Sequence, residues 1–276
     1  STTAQITIQV LDLPTASVTG PLVGCAGDNI TLTASAGTNW LWSTGATTQT
    51  ITIVAPPVGR TEYTVDIFNA AGCSSTAMHA VVISALPNAA INGDLDICVG
   101  ESTILTASGG DTYLWDDGST GATRTVTPAS TQSYSVTATK NGCSKTVSVT
   151  VNVNALPTPS ISGTADICNG QSSLLTANGG GSYYRWSTGQ AGPSMSSILV
   201  SPNTTTVYEV EVTNASGCKN TAQFEVRVTQ VASPTISTPK TTICAGESVT
   251  LTSSAAPFYQ WSSNAGASLN NQSVTV

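Results

Sequence analysis

Charge, histidine and long apolar runs are all scarce in this sequence. Only 8% of its 276 residues are charged, acidic groups exceed basic ones by seven, and there is a single histidine. With so few Lys and Arg, no basic face exists to neutralise phosphates or an anionic membrane surface, so no nucleic-acid partner is expected. One histidine, His79, cannot build a His-based triad or a multi-His metal site. The longest apolar run, Ala80 to Leu86, contains Ser84 and falls far short of the roughly 18 residues a spanning helix needs, so no membrane span is expected in this segment. Nucleophile-elbow, P-loop and dinucleotide-turn patterns are missing too. No enzyme and no cofactor is expected.

Repetition is what the sequence does contain. A cysteine followed by x-Gly-[Asp/Glu/Gln] stands at Cys25, Cys98, Cys168 and Cys244, at offsets of 73, 70 and 76 residues. Each of the first three is answered by a Gly-Cys pair, at Cys73, Cys143 and Cys218. The chain divides on this frame into residues 1–13, the last strand of a preceding repeat; repeat 1, 14–86; repeat 2, 87–156; repeat 3, 157–233; and the first part of a fourth repeat, 234–276. Leu-Pro joints at Pro14, Pro87 and Pro157 hold the chain extended, which makes the linkers short and stiff. Any export signal is expected outside residues 1–276.

Within the frame, apolar and small residues alternate with Thr and Ser, the mark of half-buried strands, and no 3.6-residue stripe points to helices. Positions five, seven and nine after the first cysteine carry Ile30, Leu32, Ala34 and their counterparts, with Leu105, Leu175 and Leu251 at the middle place. An aromatic, one residue and a tryptophan follow, giving Trp42, Trp115, Trp186 and Trp261, with both rings of each pair expected on the core face. A tyrosine strand follows in each complete repeat, at Tyr63, Tyr134 and Tyr208, and ends at the Gly-Cys turn, after which an alternating strand such as Val147, Val149, Val151, Val153 closes the repeat. The fold expected is all-β: a tandem array of small antiparallel Ig-like β-sandwiches, each with one disulfide.

Repeats of about 70 residues bury only some 60% of their unfolded surface, so covalent reinforcement is expected. Six cysteines allow fifteen connectivities, and treating each repeat as a self-contained unit pairs Cys25 with Cys73, Cys98 with Cys143 and Cys168 with Cys218. Cys244 then has its partner beyond Val276. With no Cys-x-x-Cys and no histidine near any cysteine, thiolate metal sites are disfavoured, and an oxidising, extracytoplasmic location follows. Such bonds would also shorten the path of tension through each repeat.

The remaining candidates have bland readings. Stacking the repeats puts His79 in register with Val149 and Phe224, a sequestered place. Asp94 with Asp96 and Asp116 with Asp117 occur in repeat 2 alone and sit in turns without calcium-loop spacing. Phe68, Tyr183 and Phe258 are aromatics outside the frame, read as packing at strand ends or joints. Asn29, Asn203, Asn214 and Asn271 open N-x-[ST] sequons.

The set carried by Cys98, Gly100, Glu101, Leu105, Trp115, Tyr134, Val136, Gly142 and Cys143 resembles the tandem Ig-like or PKD-like repeats of very large Bacteroidota surface proteins. It looks most like the repeats of that group's gliding-motility adhesin. The resemblance implies a filament or stalk of an adhesin exported by type IX secretion to the cell surface, serving gliding motility or surface attachment. It implies neighbouring repeats of the same long chain as partners, with surface polysaccharide or other cell-surface proteins at its ends; a carbohydrate- or protein-binding receptor module is the alternative. The frame departs from antibody domains, in which a tyrosine stands two residues before the second cysteine. Here the gaps are ten, nine and ten, so the intra-repeat bond is expected at one end of the sandwich.

Overall fold

The computed structural model describes residues 4–231, 233–256, 259–261 and 272–275, and every regular element among them is a strand. The chain divides into two compact units, Ser1–Leu156 and Pro157–Val276.

The first unit holds two hydrophobic cores. Repeat 1 supplies β1 (Val18–Thr19), β2 (Val23–Cys25), β3 (Asn29–Ala34), β4 (Asn39–Trp42), β5 (Thr50–Val54), β6 (Gly59–Phe68) and β7 (Ser74–Ser84). They form a three-stranded sheet, β1-β3-β5, and a four-stranded one, β2-β7-β6-β4. Repeat 2 supplies β8 (Ala90–Asn92), β9 (Asp96–Cys98), β10 (Thr103–Ser108), β11 (Thr112–Trp115), β12 (Thr123–Val126), β13 (Gln132–Lys140) and β14 (Cys143–Asn154), in the orders β8-β10-β12 and β9-β14-β13-β11.

In the second unit, repeat 3 supplies β15 (Ser160–Ser162), β16 (Asp166–Cys168), β17 (Ser173–Asn178), β18 (Tyr183–Trp186), β19 (Ala191–Gly192), β20 (Ser197–Val200), β21 (Thr206–Thr213) and β22 (Lys219–Thr229). The orders repeat, β15-β17-β20 and β16-β22-β21-β18-β19. The later segment adds a three-stranded sheet of β23 (Ile236–Ser237), β24 (Thr250–Ser253) and β25 (Ser273–Thr275).

Alternation along the strands decides what is inside. Leu32, Leu105 and Leu175 are fully buried, and Trp42, Trp115 and Trp186 nearly so. Tyr63, Tyr134 and Tyr208 complete the same cluster in each repeat. Each buried indole N–H donates to a carbonyl of the loop beyond it, Thr48, Gly121 and Met195, at 2.8 Å, so the polar edge of the ring is satisfied. The turn after each tryptophan has glycine at positive φ, 85° at Gly45, 86° at Gly118 and 90° at Gly189, which is why the frame carries Gly there. On the outer faces, cross-strand hydroxyl pairs such as Thr31 with Thr52 and Thr137 with Thr146 account for the Thr-rich, charge-poor surface.

Both rings of the aromatic-x-Trp pair face the core, Trp40 and Tyr113 packing half-buried against it and Tyr184 buried within it. One expectation is corrected. Residues 4–13 form no strand, and Ile6, Ile8 and Val10 are 88%, 81% and 91% exposed. In the later segment Leu251 and Trp261 are half-buried, and Phe258 and Asn271 lie outside the described residues.

Candidate functional site

The cysteines are placed by strand direction. The short strand ending in the first cysteine runs parallel to the last strand of its own repeat, with Cys25 opposite Ser84, Cys98 opposite Asn154 and Cys168 opposite Thr229. Those partners are the last or near-last residues of β7, β14 and β22. The second cysteine stands at the other end of the same strand: Cys143 begins β14, while Cys73 and Cys218 immediately precede β7 and β22. A strand of 11 or 12 residues at about 3.3 Å each separates the two cysteines of one repeat by roughly 35 Å. A disulfide needs Cα atoms within about 7 Å.

The expected pairs Cys25–Cys73, Cys98–Cys143 and Cys168–Cys218 are therefore not formed. Cys25 is bonded to Cys143, with S–S 2.00 Å and Cα–Cα 5.6 Å, across 118 residues of sequence. The first cysteine of repeat 1 thus joins the second cysteine of repeat 2. Cys98 and Cys218 are disulfide-bonded as well, whereas Cys73, Cys168 and Cys244 are free. Cys143 is buried, its sulfur 3.9 Å from the carbonyl oxygens of Gly24 and Ser84, so it packs on the trailing end of repeat 1.

Each bonded cysteine rests on a turn made for it. The Cys25 amide donates to Asp28 Oδ2 at 2.8 Å and the Cys98 amide to Glu101 Oε2 at 2.9 Å, which explains the acidic residue three places on. The glycine between them has positive φ, 94° at Gly27 and 88° at Gly100. At the second cysteine, Gly142 is also left-handed, at 77°.

The joint itself is tight. Gly109, at φ 91°, lies so close to the linker that a Cβ there would come within 2.1 Å of the Asn88 carbonyl oxygen. Pro87 beside it is buried.

The other candidates resolve into structure. His79 is buried, opposite Tyr63 in the sheet, and its Nε2 lies 3.1 Å from the Pro21 carbonyl oxygen. Asp96 accepts from Asn152 Nδ2 at 3.0 Å, and Asp94 Oδ1 accepts from the Asp96 amide. Asp116 and Asp117 both pair with Arg124, whose guanidinium lies 4.9 Å from the Tyr134 ring centroid and 5.9 Å from that of Trp115. Arg124 stands opposite Leu105, the place filled by buried Ile51 opposite Leu32 and buried Ile198 opposite Leu175. The acidic pair peculiar to repeat 2 answers a cation peculiar to repeat 2. The Ser119 hydroxyl and amide, with Arg124, hold the Asp117 carboxyl below its usual value.

Tyr183 is exposed and Phe68 half-buried. No group of three metal-ligating side chains occurs among the described residues. A cleft of about 290 Å³ beside Pro234, Ile236, Ser253 and Tyr259 belongs to the later segment.

No family model matches the chain, and no curated protein matches it. Among solved structures, the I-band fragment I67-I69 from titin aligns with 79% of this chain and 100% of its own, at 13% identity and a TM-score of 0.38. The N-terminal eight Ig domains of Down Syndrome Cell Adhesion Molecule align with 95% of this chain and 50% of their own, at 13% identity and a TM-score of 0.29. A structure from a 1.5-MDa bacterial ice-binding adhesin aligns with 80% of this chain and 100% of its own, at 13% identity and a TM-score of 0.30. At these TM-scores the likenesses carry no argument about role. The strands and their pairing make the chain an all-β tandem array of small sandwiches.

Proposed function

We propose that this segment is a stalk or filament section of an exported bacterial surface adhesin, serving surface attachment or gliding, with no enzymatic role of its own. The observation that carries this reading is the Cys25–Cys143 bond, which joins successive repeats rather than reinforcing one. Tension entering near Pro14 reaches Cys25, crosses to Cys143 and leaves toward Pro157, so the residues between the two cysteines are bypassed. Only about 25 residues, on the order of 85 Å, can pay out along this path across two repeats. A disulfide that shields two folded units from load suits a tether better than a lone receptor module. The bonds also favour an oxidising, extracytoplasmic location. Its partners, on this reading, are neighbouring repeats, with polysaccharide or other surface proteins engaged elsewhere; secretion by the type IX route rests on the resemblance stated above.

Pulling the full chain by its ends tests the reading. Reductant should release at least about 400 Å of additional contour length, the span enclosed by Cys25 and Cys143. Equal extensions with and without reductant would contradict a tension-bearing staple, and specific glycan-array binding by this segment would favour the receptor alternative.

A further inference from the structure

We propose that Cys73 and Cys168 are the open halves of further inter-repeat disulfides, each taking a cysteine from another repeat of this same frame. Cys168 takes a second-type cysteine, as Cys25 takes Cys143; Cys73 takes a first-type cysteine, as Cys143 takes Cys25. The inference goes beyond the stalk reading and does not depend on it.

Two independent comparisons carry it. The backbone around free Cys168 reproduces that around bonded Cys25: the same parallel register against the last strand, a left-handed glycine two residues on (85° at Gly170, 94° at Gly27), and a closing hydrogen bond to the cysteine carbonyl from Gln171 at 3.0 Å or Asp28 at 2.9 Å. The turn around free Cys73 likewise reproduces that around bonded Cys218. Asn69 Oδ1 accepts from the Ala71 and Cys73 amides at 3.0 Å, as Asn214 Oδ1 does from Ser216 and Cys218. Gly72 and Gly217 have φ of 85° and 82°.

Gln171 stands where Asp28 accepts from the cysteine amide, and coverage differs. Cys168 is exposed and Cys73 half-exposed, whereas Cys143 and Cys218 are buried. The turns are built for bonded cysteines and lack only the facing repeat. Because a first-type cysteine joins a second-type one, the joint is heterologous, and a unit carrying one of each can be extended at both ends. The frame opens again at Cys244, on a turn whose Glu247 accepts from the Cys244 amide at 3.3 Å.

Closure needs an oxidant, and a small-molecule or protein disulfide supplies it. The Cys168 thiolate attacks one sulfur of that disulfide and releases the other as a thiol. The incoming cysteine thiolate then displaces the remaining oxidant sulfur, so two protein thiols become one disulfide and the oxidant becomes two thiols.

A chain in which residues 87–156 are repeated after residue 233, in place of residues 234–276, tests the inference in a glutathione redox buffer. Tryptic digestion without reduction should join the peptide 146–185, which carries Cys168, to the second copy of 141–145, which carries Cys143. N-ethylmaleimide labelling of Cys168 should fall from nearly complete to nearly none. Full labelling of Cys168 while the Cys25–Cys143 peptide stays intact overturns the proposal. Should that control peptide be lost, the unaltered chain decides: oxidised glutathione should add to Cys73 and Cys168 and leave Cys25, Cys98, Cys143 and Cys218 unmodified, and failure of Cys73 and Cys168 to react overturns the proposal.

Discussion

Cys73 and Cys143 hold the same place in their repeats, after a left-handed glycine at the start of the last strand, yet Cys143 is bonded and buried while Cys73 is free. Their turns differ, Asn141-Gly142 before Cys143 and a longer loop closed by Asn69 before Cys73, but bonded Cys218 shares the Cys73 turn, so turn type does not decide bonding. Cys143 has the trailing end of repeat 1 against it, so the bond is a property of the joint between repeats and not of the repeat. Arg124 teaches the same lesson about composition: where repeats 1 and 3 bury Ile51 and Ile198, repeat 2 places a cation and must supply Asp116 and Asp117 to pair it.

The comparison can be broken most decisively at the cysteines. Closing 118 residues should stabilise the first unit by about 5 kcal/mol on the chain-entropy model. Cys25→Ser or Cys143→Ser should therefore lower the urea midpoint of that unit sharply, whereas Cys73→Ser should shift it by no more than about 0.5 kcal/mol. Equal losses from all three would erase the distinction drawn here.

Gly109 offers the next effect. Repeat 1 carries Ala36 at the equivalent place, but in repeat 2 a Cβ would meet the Asn88 carbonyl while the backbone keeps a positive φ. Gly109→Ala should cost roughly 2–3 kcal/mol in the same titration, the sum of a left-handed alanine and a backbone displacement at the linker. A neutral result would mean that the linker is looser than described.

The Arg124 group predicts a smaller change with a characteristic sign. Asp116→Ser alone should destabilise repeat 2 by about 1–2 kcal/mol, discounted for the partial exposure of the carboxylate, because it strips a half-buried cation of a partner. The triple change Asp116→Ser, Asp117→Thr and Arg124→Ile, which rebuilds repeat 1's arrangement, should restore stability to wild type or above. Additive losses in the triple variant would contradict the pairing account.

The smallest effect is on pH. Because the Asp117 carboxyl is held below its unfolded value of 3.8, its contribution is present above that pH and is lost as pH falls through the folded value. Ser119→Ala should lower stability slightly at neutral pH and leave it unchanged once the carboxyl is protonated in both states, so the acid dependence of unfolding shrinks; an unaltered pH profile of the urea midpoint would contradict the role given to Ser119.

The strands and core were largely legible in the sequence because alternation and stacked repeats reveal faces directly: Leu32, Trp42 and Tyr63 recur in register and are buried together. The connectivity was not legible, because spacing counts residues while bonding depends on strand direction. Once β2 is seen to run parallel to β7, Cys25 must lie a strand's length from Cys73. A pairing from one repeat to the next is just as regular across the copies as one within each repeat, so repetition alone could not choose between them. Arg124 escaped notice for a related reason. The run between tryptophan and tyrosine strands varies in length among repeats, and only the pairing of β10 with β12 places Arg124 opposite Leu105.

A tryptic map of the oxidised chain without reduction tests the central claim most directly. It should join peptide 1–60, carrying Cys25, to peptide 141–145, carrying Cys143. Linkage of 1–60 to 61–124 together with linkage of 61–124 to 141–145 would instead establish bonds within repeats and contradict the joint described here.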